Sequence, residues 1–331
     1  MNWIDRPGGR KLHVGEVPVV GGLGMLLGMV LGIGLLNLPD SMVGAFLGAC
    51  AMLVTVGLID DRFDLSPWIR LPVQVVAALV LVIGTGAVIS DVGAPFGEEI
   101  RLEGMFSYVF TVLTIVAAIN ACNMLDGMDG LAGALAMVAL AALAILANDG
   151  GPVAAFSAGV VIMGAVAAFL VANLPIALNR DVRCFMGDSG SALLGFSVAW
   201  LCITVSQGSA PAAKPVTMLW VVALPLYDLS WTVIRRTIRG MSPLKPDNGH
   251  LHHLVLQAGL GVRGAFVLLV VLAVLLASFG IALDRLGTPD SWSYALLIVA
   301  GVLIVRLLYC VDVIRKLIPR SLRQARPAGP D

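Results

Sequence analysis

A chain of 331 residues that is 59% hydrophobic and only 13% charged is too apolar for an ordinary soluble domain, in which about 25% of residues carry charge. Its apolar runs lack the strict alternation of a transmembrane barrel, so a closed β-barrel is excluded as well. The 21 basic and 21 acidic side chains sum to zero, a balance that hides an uneven distribution and says nothing about partners; a nucleic-acid partner is not expected.

The first element is a polar, Gly-rich segment, residues 1–17, with no cleavable signal peptide. Ten helical spans are predicted after it, near residues 18–38, 41–59, 69–89, 106–122, 131–147, 153–173, 191–207, 216–232, 264–283 and 293–311. Each is long enough to cross ~30 Å of hydrocarbon, and as helices they satisfy their own backbone. The fold class is therefore all-α: a polytopic integral membrane protein with one transmembrane catalytic domain, residues 18–311, and a basic tail, 312–331, that faces anionic lipid. Seventeen Lys and Arg side chains fall on the side of both termini, whereas only Arg101, Lys214 and Arg285 fall on the other. By the positive-inside rule both termini and the basic loops are cytoplasmic. The five cysteines are scattered without a C-x-x-C pair, and no disulfide is expected.

Polar residues collect in the cytoplasmic connections, near 60–68, 123–130, 174–190 and 233–263. Charge at membrane depth costs about 2.5–3.5 kcal/mol per group on insertion scales and marks function. The first connection, GLIDDRFDLSPW, pairs Asp60 with Asp61. Adjacent carboxylates repel, so such a pair suits a divalent cation or a base, while Asp64 and Ser66 suit a helix cap. The second, INACNMLDGMDGLAG, places Asn120, Asn123, Asp126 and Asp129 three residues apart. A helix through them would carry all four on one slowly drifting face, and their oxygens suit Mg²⁺ or Mn²⁺. Gly127 and Gly130 are expected to leave room for a phosphate or sugar; a plain Asp-Gly turn is the competing reading. In the third, FMGDSGSALLG, Asp188 opens a helix, either as a cap or as a metal ligand beside a phosphate. The fourth carries His250, His252 and His253 after Arg235, Arg236, Arg239 and Lys245. Those imidazoles could bind a metal, but the companion cations favour an anion such as a diphosphate. Together the parts describe phosphoryl transfer.

At these motifs the sequence resembles the polyprenyl-phosphate N-acetylhexosamine-1-phosphate transferases. The likeness runs through RKLHVGEVPVVGG, GLIDDRFDLSPWIRLPVQ, NACNMLDGMDGLAG, FMGDSGSALLG and SPLKPDNGHLHHLVLQAG, in that order. The HLHH form resembles the WecA-like branch, which uses UDP-GlcNAc. The resemblance implies a bacterial inner (plasma) membrane enzyme in which undecaprenyl phosphate attacks the β-phosphorus of a UDP-N-acetylhexosamine and UMP leaves. It further implies Mg²⁺ on Asn123 and Asp188, with Mn²⁺ as a substitute, and Asp60 and Asp61 orienting or deprotonating the lipid phosphate. Asp126 and Asp129 would line the nucleotide pocket and Phe185 would stack on uracil. Lys11, His13 and the histidine cluster would face phosphates or sugar, Asn120 would line the same pocket, and a homodimer follows by analogy alone. Two departures stand out: members usually carry a further span before the RKLH motif, and Leu244 replaces a common aromatic. Two rivals remain. A divalent-metal or anion transporter would place its site near the bilayer midplane. A CDP-alcohol phosphotransferase would need an Asp-Gly followed by Ala-Arg, and the chain has none.

Overall fold

The computed structural model describes residues 4–5, 17–36, 40–174, 184–242 and 249–309. Lys11, His13, Leu244 and the basic tail lie outside these residues. Two short antiparallel strands, β1 (Ile4–Asp5) and β2 (Val17–Pro18), precede the helices. The helices are α1 (Gly21–Gly34), α2 (Asp40–Phe63), α3 (Pro67–Thr85), α4 (Met105–Leu125), α5 (Leu131–Asn148) and α6 (Val153–Asn173), then α7 (Gly187–Ser206), α8 (Pro215–Val221), α9 (Ala223–Ile238), α10 (Leu251–Gln257), α11 (Val262–Arg285) and α12 (Asp290–Tyr309).

Eight of these are long and apolar enough to cross a membrane, and α8 with α9 passes the same test as a pair bent by 84°. The chain is thus an all-α, multi-pass membrane protein. Two predicted spans differ from the observed helices. The one expected at 18–38 is helical only over the 14 residues of α1, about 21 Å at 1.5 Å per residue, short of the hydrocarbon thickness. The one at 216–232 is broken at Val222, whose φ of −108° and ψ of 23° leave the helix. Pro225 supplies the reason, because it has no N–H for the carbonyl of Val221 yet is tolerated in the first turn of a new helix.

Helix α7 is the hub, with 94% of its apolar window buried. A helix that is apolar all round belongs inside a bundle. Its first two turns are small, with Ser189, Gly190, Ser191 and Ala192, and neighbouring backbones close on them. A Cβ on Gly57 of α2 would strike the backbone of Ser189, and one on Gly22 of α1 would strike Gly190. Further along, Gly195 admits the backbone of α4 at Ala118 and Ile119. Such small-residue contacts let membrane helices pack closely where no hydrophobic force separates them from lipid. Beyond the glycines, Trp200 stacks on Phe46 of α2 with ring centroids 4.1 Å apart. Two buried hydroxyls further along this helix donate to carbonyls one turn back, Ser197 to Leu193 and Ser206 to Cys202, each at 2.8 Å.

The three cations that the sequence sets apart lie together at the end of the bundle opposite the acidic motifs. Lys214 Nζ reaches Asp290 Oδ1 at 3.1 Å and donates to the Thr288 carbonyl at 2.7 Å. Arg285 pairs with Asp149, and Arg101 with Glu99.

Candidate active site

Asp60 and Asp61 stand in the last turn of α2, and α3 begins after a short turn capped by Ser66, whose Oγ accepts the Trp68 N–H at 3.4 Å. That fulfils the capping role expected of Ser66. The adjacent carboxylates do not share a partner. Asp60 is buried, and its Oδ1 accepts the Leu65 N–H at 2.7 Å, closing the turn. Its Oδ2 accepts from Arg70 Nη1 at 2.6 Å. Asp61 turns the other way, and its Oδ1 accepts the backbone N–H of Asp188 at 2.8 Å, at the positive start of α7. In consequence the side chain of Asp188 is released from capping its own helix.

Asp188 is where the motifs meet. Its Oδ2 accepts from the same Arg70 Nη1 at 3.0 Å, and its Oδ1 accepts from Asn123 Nδ2 at 2.6 Å. Asn123 also reaches Ser191 Oγ at 3.1 Å, while Asn120, one turn back, donates to Gln74 Oε1 at 2.8 Å. A small cleft runs between these groups, walled by Leu53, Val56 and Val73 on the apolar side. Arg70 was not among the sequence candidates, where it counted only toward orientation. Its signal was its position in the first turn of the helix that follows the paired aspartates.

The helix expected over 106–122 runs on to Leu125, and the connection expected at 123–130 is helical only through its first three residues. Asn120 and Asn123 share a helical face, but Asp126 is the C-cap and Asp129 lies in the turn that follows, where Gly130 takes a φ of 72°. The glycines make room for protein rather than ligand. A Cβ on Gly127 would collide with Nε2 of His252, and one on Gly130 with Leu174. The turn reading of Asp-Gly and the site reading are therefore both part of the answer: the stretch turns, and the turn is packed onto the histidine helix. Partly withdrawn from water and crowded by the carboxylates of Asp188, Asp61 and Asp129, the carboxyl of Asp126 is pushed well above its ordinary range.

His252 is buried, and neither ring nitrogen has a hydrogen-bond partner among the described residues. Burial, then the neighbouring His253 and His250, lower its pKa to about 3, so it is neutral. The His252 and His253 rings lie 4.1 Å apart, and His250 lies 6.0 Å from His252 with the two rings nearly parallel. His250 Nδ1 stands 2.9 Å from Oδ2 of Asp228 on α9. Asp228 was also missed from sequence, although a lone acid in the apolar run LPLYDLSW is the kind of signal that marks function. Arg235 and Arg236, expected to favour an anion from the connection near 233–263, are buried at the end of α9. Phe185 is half-buried beside α7, its N–H donating to the Pro18 carbonyl at 2.9 Å and its carbonyl accepting the Gly21 N–H at 3.0 Å.

Fold and site together define a multi-pass membrane enzyme whose polar centre is assembled from helix ends on one side of the bundle. Residues 43–206, which span Asp60 to Asp188, match the glycosyl transferase family 4. The chain belongs to that family. It is 35% identical over 334 residues to the undecaprenyl-phosphate alpha-N-acetylglucosaminyl 1-phosphate transferase of Escherichia coli (strain K12), covering 99% of this chain and 90% of the relative. The protein of the same name from Yersinia pestis is 36% identical over 329 residues, with 98% and 89% covered. That from Haemophilus influenzae is 33% identical over 299 residues, with 88% and 83% covered.

Proposed function

We propose that this protein transfers N-acetylglucosamine 1-phosphate from UDP-GlcNAc to undecaprenyl phosphate at the cytoplasmic face of the bacterial inner membrane. The single observation that supports this reading most is the meeting of Asp188, Asn123 and Arg70 in one cleft, on helix ends rather than at mid-span. An apolar cavity of ≈350 Å³ is lined on α4 by Ala121, Cys122 and Leu125, the residues that bracket Asn123 in sequence, and continues between α5, α7, α8 and α9. Its walls suit the first isoprene units of the acceptor, and the cleft suits the two phosphates. A transporter would need its site at the midplane instead.

In the reaction an oxygen of the lipid phosphate bonds to the β-phosphorus of UDP-GlcNAc. The bond from that phosphorus to the bridging oxygen breaks, and UMP departs with the electron pair. A phosphate monoester has its second pKa near about 6, so the nucleophile is already ionised and needs no strong base. The work left to the protein is placement and charge. Arg70 carries five N–H donors, of which its Nη1 is committed to Asp60 and Asp188; the others suit phosphate oxygens. Asp60 then holds Arg70, and Asp61 holds the start of α7.

Among the described residues no group of three or more His, Cys, Asp or Glu side chains is arranged to hold a metal ion by itself. The oxygen donors of Asn123 and Asp188 nonetheless fit Mg²⁺, which typically takes one or two carboxylates and completes its shell with water and substrate phosphates. Bound there, Mg²⁺ would neutralise charge on the diphosphate.

The test is to incubate purified protein in nanodiscs with undecaprenyl phosphate, Mg²⁺ and, in separate reactions, UDP-GlcNAc, UDP-GalNAc and UDP-MurNAc-pentapeptide. UMP and a lipid-diphosphate sugar are expected from UDP-GlcNAc. Release from another UDP-sugar alone would move the substrate, and no UMP from any would overturn the reading.

A further inference from the structure

Asp228 lies on α9 just beyond the 84° bend, and it is 1% exposed. A carboxylate so placed is costly unless every oxygen is used. Both are. Oδ1 accepts the backbone N–H of Leu251, the first residue of α10, at 2.8 Å, and Oδ2 faces His250 Nδ1 at 2.9 Å. One turn along α9, Thr232 Oγ1 comes to 3.5 Å from the same ring nitrogen. Ionised, Asp228 can only accept, so the proton of a neutral His250 must sit on Nδ1. That leaves a lone pair on Nε2.

We propose that Asp228 is a positioning residue for the transfer reaction: it docks the histidine helix on the broken helix and fixes His250 as the Nδ1–H tautomer, so that Nε2 accepts a hydrogen bond from a hydroxyl or amide N–H of the nucleotide sugar. The proposal rests on the function above and deepens it by naming what sets the sugar-side contact. The choice of acid is specific. In Asp228→Asn the amide oxygen must stay on the Leu251 N–H, because a buried backbone donor left unpaired is costly. The amide NH₂ then faces Nδ1 and forces the proton to Nε2. The substitution keeps shape and volume while inverting what His250 presents.

The tautomer is read directly by ¹⁵N NMR of histidine-labelled protein in nanodiscs. The chain has 4 histidines, so single His→Gln variants assign the signals. Native protein should show His250 protonated at Nδ1, and Asp228→Asn should show it at Nε2. In kinetics, Asp228→Asn should raise KM for UDP-GlcNAc on the order of tenfold while KM for undecaprenyl phosphate stays within about twofold. In a His250→Gln background, Asp228→Asn should cost little more. An Nε2–H tautomer in the native protein overturns the proposal, and so does an Asp228→Asn penalty undiminished in that background, since a purely structural role would give it. If Asp228→Asn does not fold, the native spectrum and the KM of His250→Gln alone decide: an Nδ1–H ring with raised KM for UDP-GlcNAc upholds the proposal, and anything else overturns it. Absence of UMP from every UDP-sugar would instead sink the transferase reading, which the tautomer result cannot do.

Discussion

Gly127→Ala distinguishes a glycine that makes room for ligand from one that makes room for protein. Gly127 is not among the positive-φ glycines, so alanine adopts its backbone without strain and gains about 0.4–1 kcal/mol from a less flexible unfolded chain. Against this, the new methyl lands on Nε2 of His252. His252 is 1% exposed and its ring lies 4.1 Å from that of His253, so it has little space to withdraw. Overpacking of this kind costs about 1–3 kcal/mol, and the net effect is destabilisation by roughly 1–2 kcal/mol. Removing the ring removes the clash, so in His252→Ala the same Gly127→Ala change should be neutral or slightly stabilising. The coupling energy between the two is then about 1–3 kcal/mol, the range of residues in direct contact. Thermal unfolding of the four proteins in nanodiscs measures it, with Gly164→Ala, whose added Cβ meets nothing within 4 Å, as the control. Additive single and double variants would refute the packing account and restore the expectation that Gly127 faces the ligand.

Four further outcomes follow from the site. Asp188→Asn and Asn123→Ala should each lower kcat by at least about a hundredfold while the protein still inserts and melts normally, checked by UMP release. Arg70→Gln should abolish transfer and destabilise the fold, because it leaves the Asp60 carboxylate buried without its cation; Arg70→Lys should keep part of both, since a single nitrogen makes the two contacts. Asp126 resists ionisation in the fold, so above its ordinary pKa near 3.8 the native state holds more protons than the unfolded one and stability falls as pH rises. Asp126→Asn should therefore melt higher than native protein at neutral pH, with the gain shrinking as pH drops toward about 4. Ala136→Phe, which fills the apolar cavity, should raise KM for undecaprenyl phosphate and spare KM for UDP-GlcNAc; equal changes in both would argue against the cavity as the acceptor's seat.

Most spans were legible because hydropathy follows from burying backbone in lipid, and that constraint is local. The two that differ failed for local reasons too: Pro225 breaks one, and α1 is helical over only 14 residues. Residues of the site were legible where they were polar within apolar sequence, as at Asp60, Asp188 and Asn123. Their partnerships were not. Adjacent Asp60 and Asp61 read as a pair, yet a helical step of 100° sends one to Arg70 and the other to the start of α7. Arg70 was hidden because near a membrane face an arginine already has a reason to be there.

The geometry also explains why the polar motifs can be so far apart in sequence and still form one centre. Among the described residues, Asp60, Asp61, Asn123 and the turn that carries Gly127 are attached to the first two turns of α7 or to something packed on it. Gly57 brings the end of α2, and with it Asp60 and Asp61, against Ser189. Gly195 brings α4 in so closely that Asn123, one turn from Ile119, reaches Asp188 and Ser191. From there the turn after α4 carries Gly127, and Gly127 admits His252. Bulk at Gly57 or Gly195 should therefore act at the site without touching substrate. Gly195→Leu would push α4 away and open the 2.6 Å contact between Asn123 and Asp188, lowering kcat for UMP release. A Gly195→Leu protein with native kcat would show that the site does not depend on this close approach.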